Sequence, residues 1–104
     1  MKSENRHPEY YEAILQLRPA TDEVIDFIRE LIIKRDDVKI SKVVELKTGI
    51  DVYLTNQRFA RSTLGPMLKR KFKKGKLTVT RSLHSRNRLT NKLVYRATVL
   101  FRLE

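Results

Sequence analysis

Residues 40–54 read ISKVVELKTGIDVYL, two β-rich runs on either side of a Lys-Thr-Gly connection. A three-residue connection that ends in glycine is typical of a β-hairpin, and we expect Gly49 to take a positive φ. In the second run, the alternation predicts that Val52 and Leu54 face the core and that Tyr53 faces outward. The stretch therefore places an antiparallel pair of strands near the middle of the chain.

An amphipathic helix is predicted on each side of this hairpin. Before it, residues 24–32 carry apolar side chains at helical spacing, behind a good N-cap, Thr21, and an acidic first turn. After it, residues 59–72 show the same spacing, interrupted by Gly65-Pro66. Because proline has no backbone donor, we expect either a kink or two helical pieces, with Pro66 starting the second.

Three further strands are predicted, at residues 10–18, 77–84 and 93–103. In the first of them, alternation predicts that Tyr11 points toward the core together with Ala13, Leu15 and Leu17. The order β-α-β-β-α-β-β then predicts a ferredoxin-like α+β sandwich, with an antiparallel sheet and two helices on one face. Its open sheet face is expected to show Glu12, Gln16, Arg18, Asp51 and Tyr53.

The composition bounds the domain organisation and excludes several classes of function. At 104 residues the chain can bury a single core, and we expect one domain over residues 10–104 after a flexible segment, residues 1–9. Cysteine is absent, which excludes disulfides and thiolate metal sites. With His7 and His84 as its only histidines, the sequence predicts no metal and no cofactor. No apolar run approaches the ~20 residues that span a bilayer, so we expect a cytoplasmic protein with no membrane partner.

Positive charge is concentrated in the second half of the chain. The 23 Lys and Arg residues against 12 Asp and Glu give a net charge of +11, of which residues 1–56 carry −2 and residues 57–104 carry +13. Residues 67–92, MLKRKFKKGKLTVTRSLHSRNRLTNK, hold ten of the 23 basic residues and no acidic one. Most charge runs are simply solvated faces, but an asymmetry of this size favours nucleic acid as the partner.

Two groups of basic residues are predicted to bind RNA, and a third group is a secondary candidate. At the end of the second helix, the predicted phosphate contacts are Lys69, Arg70, Lys71, Lys73, Lys74 and Lys76. On the last hairpin, the predicted contacts to RNA or to a protein are Arg81, His84, Arg86, Arg88 and Lys92. On the open sheet face, the secondary candidates are Gln16, Arg18 and Tyr53. Phosphate contacts set position and affinity but do not read sequence.

Aromatic stacking is a weaker hypothesis at this stage. Tyr10 and Tyr53 could form a small stacking platform, although an ordinary surface tyrosine is the better explanation of each. The glycine-aromatic signature of the RNA-recognition motif, which shares this order of elements, is missing. Base-specific readout of single strands is therefore not expected.

Catalysis is not expected either. His84 is near Ser82 and Ser85 in sequence, but adjacency in sequence does not create the geometry of a catalytic triad. The three glycines stand alone, so no glycine-rich phosphate loop occurs. An acylphosphatase-like enzyme is the remaining enzymatic alternative, and only the analogy of fold supports it.

Several segments together resemble a known family. They are Tyr11-Glu12-Ala13-Ile14 with Gln16-Leu17-Arg18, the turn Gly49-Ile50-Asp51-Val52-Tyr53, a helix carrying Arg58, Ala60 and Arg61, Ser82-Leu83-His84-Ser85, and Val94-Tyr95-Arg96. Their order and spacing resemble the region that follows the zinc-binding modules in the Nmd-three family of ribosomal large-subunit export adaptors, in its archaeal type. The Cys-x-x-Cys zinc modules of that family are absent here, which is expected of one domain of a longer protein or of a reduced relative. The resemblance implies a module that contacts rRNA of the large subunit, with ribosomal proteins as further partners.

Taken together, the residues and the resemblance predict a non-enzymatic, monomeric, cytoplasmic rRNA-binding domain of a large-subunit biogenesis factor. The alternative is a protein-interaction module. In that case the extra strand would leave an exposed sheet edge for another domain, and the acidic first helix would dock a basic ribosomal protein.

Overall fold

The computed structural model describes residues 10–86, 89–90 and 93–103. The chain forms five strands, a first helix between β1 and β2, and a longer helical segment between β3 and β4. The predicted flexible segment, residues 1–9, lies outside the described residues. In chain order the elements are β1 (Ala13–Arg18), α1 (Asp22–Ile33), β2 (Ile40–Leu46), β3 (Gly49–Leu54), α2 (Gln57–Phe59), a π-helix (Ala60–Leu64), α3 (Gly65–Lys71), β4 (Lys76–Arg86) and β5 (Leu93–Arg102). Within the described ranges, no helix is both long and apolar enough to cross a lipid bilayer.

The sheet is mixed, which corrects the prediction of an antiparallel sheet. Its strand order is β2-β3-β1-β5-β4, and β5 runs parallel to β1 while the other three pairs are antiparallel. The α+β class and the two helices are confirmed, but the strand order departs from a ferredoxin-like sheet because β5 lies between β1 and β4. Burial explains this order. The inner strand β5 buries Ala97, Val99 and Phe101, whereas β4 places Arg81 opposite Ala97 and so is better suited to an edge.

One face of the sheet carries the core, as the alternation predicts. In β1, Ala13, Leu15 and Leu17 are fully buried and the residues between them are half-buried. Both helical segments contribute apolar side chains to the same cluster. They are Val24, Ile28 and Ile32 from α1, and Phe59, Ala60, Leu64 and Leu68 from the helical segment between β3 and β4. Full burial of a Val, Leu, Ile or Phe side chain stabilises the fold by roughly 1.5–3 kcal/mol.

The second helical segment changes its helical geometry just before Pro66, where the sequence predicts a kink or two helical pieces. The Gly65 N–H donates to the carbonyl of Ala60, five residues back, so the chain passes through one π-helical stretch before α3. Pro66 then occupies the first turn of α3, where its missing N–H leaves no hydrogen bond broken. The wide turn thus accommodates the proline without ending the helix.

The β2–β3 hairpin has a connection one residue shorter than predicted. Leu46 pairs with Gly49, so only Lys47 and Thr48 lie between the strands. Gly49 has the expected positive φ of 157°. A Cβ atom at this position would lie 1.8 Å from the carbonyl oxygen of Leu17, so the close approach of β1 also requires glycine.

The opposite sheet face is open, and four of its five predicted residues lie there. Gln16 stands directly opposite Asp51, and Tyr53 stands opposite Ile14 on the same face. Arg18, two residues after Gln16, donates to Asp51 there. Glu12 is the exception and corrects the prediction. It precedes β1, and its Oε1 accepts a hydrogen bond of 3.0 Å from the backbone N–H of Gln57 at the start of α2.

Candidate nucleic-acid interface

A compact group of cations lies where α3 turns into β4. We define the basic corner as Arg70, Lys71, Lys73, Lys74 and Lys76, which are all exposed. Phe72 and Gly75, the two non-basic residues between them, point inward. The Phe72 ring lies 5.6 Å from that of Phe27 and 6.2 Å from that of Phe101, and Gly75 is buried. The aromatic contacts anchor the turn, and the basic side chains around them are exposed, with Lys71 Nζ 5.9 Å from the centroid of the Phe27 ring.

Lys69 holds this turn together from within. Its Nζ donates to the carbonyl of Gly75 at 2.7 Å and to that of Lys73 at 3.5 Å. The ammonium group therefore satisfies carbonyl groups just past the C-terminus of α3, where a cation also complements the helix dipole. A contact from Lys69 to phosphate stays a prediction, but the structure shows that Lys69 first positions the basic corner.

The acidic residues of the described chain leave the basic corner unneutralised. The ion pairs among described residues join Arg18 to Asp51 at 2.6 Å, Arg29 to Asp26 at 3.5 Å, and Arg35 to Asp37 at 2.7 Å. None of them involves a cation of the basic corner. Such exposed lysines interact with water and salt, which keeps them available to a polyanion.

The structure separates the two predicted groups of basic residues. Lys76 begins β4 and pairs with Arg102, whereas Arg86 ends β4 and pairs with Leu93 at the tip of the hairpin. At about 3.3 Å per residue, the eleven-residue strand keeps these two points roughly 33 Å apart. The predicted surface is therefore divided between the basic corner and the distal hairpin.

Of the five residues predicted to bind through the last hairpin, the structure describes the side chain of Arg81 alone. Arg81 places its guanidinium 4.7 Å from the ring centroid of Tyr95, on the helix side of the sheet. His84 and Arg86 belong to β4 by their backbone, but their side chains are not among those described. Arg88 and Lys92 lie outside the described residues altogether. Their predicted contacts stay predictions.

A second group of interest lies on the open sheet face. We call it the cation–tyrosine array: Lys42, Tyr53, Tyr11 and Arg96. The two tyrosine rings meet edge to face at 4.8 Å. Lys42 Nζ lies 4.6 Å from the Tyr53 centroid, and the Arg96 guanidinium lies 4.0 Å from that of Tyr11. A pair of this kind at an exposed site stabilises by about 0.5–1 kcal/mol.

The array corrects the prediction for Tyr11. Tyr11 lies against Tyr53 on the open face and not in the core, because β1 begins only at Ala13 and the alternation does not extend before it. The Tyr10 hydroxyl donates to the carboxylate of Glu12, and the ring that meets Tyr53 edge to face is that of Tyr11. Sequence reasoning also missed Lys42 and Arg96. No sequence motif marks these two residues, because only strand pairing brings Lys42 beside Tyr53 and Arg96 beside Tyr11.

The secondary candidates differ in their availability. Arg18 is engaged within the protein, because its guanidinium donates to Asp51 at 2.6 Å and to the carbonyls of Leu17 and Ile50. Gln16 is half-buried beside this pair. Of the three, only Tyr53 belongs to the array.

The acidic side of the molecule has a different chemistry. A cleft of about 420 Å³ near the start of α2 is lined in part by Glu12, Asp36 and Asp37. The Arg35 guanidinium donates two hydrogen bonds to Asp37, at 3.0 and 2.7 Å, and this lowers the pKa of the Asp37 carboxyl. In the part of the chain that the structure describes, no three His, Cys, Asp or Glu side chains form a group that could hold a metal ion.

Comparison with known proteins identifies the family of the chain. A search of curated protein sequences found no significant match. The family model described as the second domain of NMD3 matches residues 10–103, which cover both the basic corner and the array. This confirms the resemblance that the sequence motifs indicated. The chain therefore belongs to the NMD3 family, whose context is the export of the large ribosomal subunit.

Proposed function

We propose that this domain is a non-enzymatic module that binds rRNA of the large ribosomal subunit and acts in the cytoplasm. The observation that carries the proposal is the basic corner, five exposed cations within residues 70–76 that no described carboxylate neutralises. Membership of a family associated with the large subunit supports rRNA as the polyanion.

Helix stability alone does not explain the basic corner. Cations in the last turn of a helix are favourable by about 0.3–1 kcal/mol because they offset the helix dipole. That effect applies to Lys69, Arg70 and Lys71 in the last turn of α3. It decays within one turn, so it does not account for Lys73, Lys74 and Lys76. Binding to phosphate accounts for both groups.

The proposed contacts favour a folded RNA. Lysines act as point charges that position a nucleic acid through its phosphates and carry no sequence information themselves. An RNA that also touches the hairpin tip has to extend over the roughly 33 Å between the two ends of β4. A structured rRNA surface presents phosphates over such distances.

The proposal is tested by the salt dependence of binding to large-subunit rRNA. The variant Lys73→Gln/Lys74→Gln/Lys76→Gln lowers the net charge from +11 to +8. Each lost phosphate contact should reduce the log–log salt slope by about 0.7–0.9, so we expect a reduction of roughly 2 to 3 together with weaker binding.

A matched control variant distinguishes the effect of where the lysines lie from the effect of the protein's net charge. The variant Lys34→Gln/Lys39→Gln/Lys47→Gln has the same net charge of +8, but its exposed lysines lie near α1 and β2. We expect its salt slope to equal that of the unaltered domain. Equal losses in the two triple variants would show that net charge, and not the basic corner, determines binding.

One observation favours protein docking as a second candidate function. The edge strand β2 exposes Ile40, Val43 and Leu46 by 44–50%, and a groove of about 230 Å³ runs between this strand and α1. The acidic exposed side chains of α1 are Asp22, Glu23, Asp26 and Glu30. Their charge would suit a basic, extended segment of a ribosomal protein. Under this candidate, Val43→Asp abolishes capture of such a protein and leaves rRNA binding intact.

A further inference from the structure

We propose that the cation–tyrosine array is a binding site for an unpaired nucleobase of the RNA. This inference rests on the proposed function and adds a second kind of contact to it. The basic corner would bind phosphates of folded RNA, whereas the array would bind a single-stranded segment on the open sheet face.

The array is assembled from three strands and the segment before β1. Lys42 on β2 pairs directly with Tyr53 on β3, and Tyr53 pairs with Ile14 on β1. Arg96 enters from β5 on the other side. Its Nε donates to the Tyr11 carbonyl at 3.3 Å and its Nη1 donates to the Tyr11 hydroxyl at 3.1 Å. Two aromatic rings and one guanidinium are thus held in place before any ligand arrives.

Planar side-chain groups that are already held in place can stack on a nucleobase. Nucleobases in single strands stack on aromatic side chains and on arginine guanidinium planes. Because two hydrogen bonds already hold the Arg96 guanidinium, binding would immobilise little further side-chain freedom. Both tyrosines are half-buried, so part of the surface of each residue remains exposed to solvent.

The charge of the open face supports a polyanion as the occupant. Asp51, the carboxylate of this face in β3, is paired with Arg18 at 2.6 Å, and the side chains of this pair are only 14–15% exposed. Lys42, Arg96 and Arg102 have no carboxylate partner among the described residues. Positive charge combined with aromatic side chains on one surface is a combination that binds single-stranded nucleic acid.

Hydroxyl groups extend the face toward its other edge. Thr98 on β5 stands between Ile14 of β1 and Thr80 of β4, and Ser82 stands opposite Arg96. These groups can donate and accept hydrogen bonds at base or ribose edges. The faces of paired bases are covered by their neighbours in a duplex, so only an unpaired base reaches the array. Stacking tolerates any base, which agrees with the missing signature for base-specific readout.

The test compares a short unstructured RNA with a blunt RNA duplex. Tyr53→Leu keeps apolar volume but removes the ring, and Tyr53→Phe is the matched control that keeps it. Loss of one stacked base should weaken binding of the unstructured RNA about 5- to 150-fold in Tyr53→Leu. We expect Tyr53→Phe to bind it like the unaltered domain, and neither variant to change duplex binding.

Photocrosslinking of the unaltered domain gives a readout that does not depend on the folding of a variant. With an unstructured RNA that contains 5-bromouracil, we expect crosslinks to Tyr11 or Tyr53. Crosslinks confined to residues 69–76, or unchanged affinity of a folded Tyr53→Leu variant, would overturn the inference while leaving the basic corner in place. The proposed function fails separately if the unaltered domain binds neither RNA, or if neutralising the basic corner weakens neither complex.

Discussion

Gly75 lies over the ring of Phe101, and we expect Gly75→Ala to destabilise the domain. A Cβ atom at this position would lie 2.2 Å from Cζ and 2.5 Å from Cε1 of Phe101. Ordinary contacts begin near 3.4 Å, so the two groups would have to separate by about 1 Å. Phe101 is only 1% exposed and contacts Phe72, so the ring cannot move away freely. Overpacking of this kind costs about 1–3 kcal/mol, or roughly 4 °C in Tm per kcal/mol.

A double-mutant cycle tests the stated cause. Phe101→Leu removes the atoms that the new methyl group would strike, at its own cost of roughly 1–2 kcal/mol, less than the ~3–5 kcal/mol of truncation to alanine. In that background Gly75→Ala should cost nothing, or stabilise by about 0.4–1 kcal/mol because alanine restricts the unfolded chain. Urea unfolding followed by far-UV circular dichroism measures the four free energies. An equal cost of Gly75→Ala in both backgrounds would refute the argument.

Three further predictions concern other parts of the fold. Gly49→Ala should lower the free energy of unfolding by more than about 2 kcal/mol, because its Cβ would lie 1.8 Å from the backbone oxygen of Leu17; an effect below about 0.5 kcal/mol in urea would contradict this. Asn56→Ala removes the N-cap of α2 and should cost about 0.5–2 kcal/mol in the same assay, and Asn56→Asp should restore most of it. Arg35→Gln should raise the lowered pKa of Asp37 to its ordinary range, as carboxyl NMR titration would show. Because that pKa is lowered in the folded state, the stability contributed by the pair is present above the ordinary aspartate pKa and disappears as the pH falls through the lowered value.

Patterns within single elements were predicted well. The apolar spacing of α1, the N-cap at Thr21 and the positive φ of Gly49 all reflect interactions among residues close in sequence. The interruption before Pro66 is equally local, because it follows from the missing backbone donor. Such features depend on the local backbone and not on what packs against it.

Errors in the predictions fall where distant segments meet. The parallel β1–β5 pair forms because β5 buries more apolar side chains than β4 and therefore takes the inner position. Alternation of apolar residues occurs in both strands, so it does not predict which of them is the more buried. Tyr11 was placed in the core because its strand was expected to begin at Tyr10. The ladder begins at Ala13, and the tyrosine before it turns to the open face.

The amino-acid sequence by itself determined the element types, the buried faces, the excess of positive charge and the family, because these depend on residue identity and short-range periodicity. Only the tertiary structure decided where the charges and aromatic rings lie relative to one another. The length of β4 separates the basic corner from the hairpin tip, and the pairing of β1 with β3 and β5 brings Tyr11, Tyr53 and Arg96 together. The physical reason is that strand order and register are set by the burial of side chains from the whole chain at once.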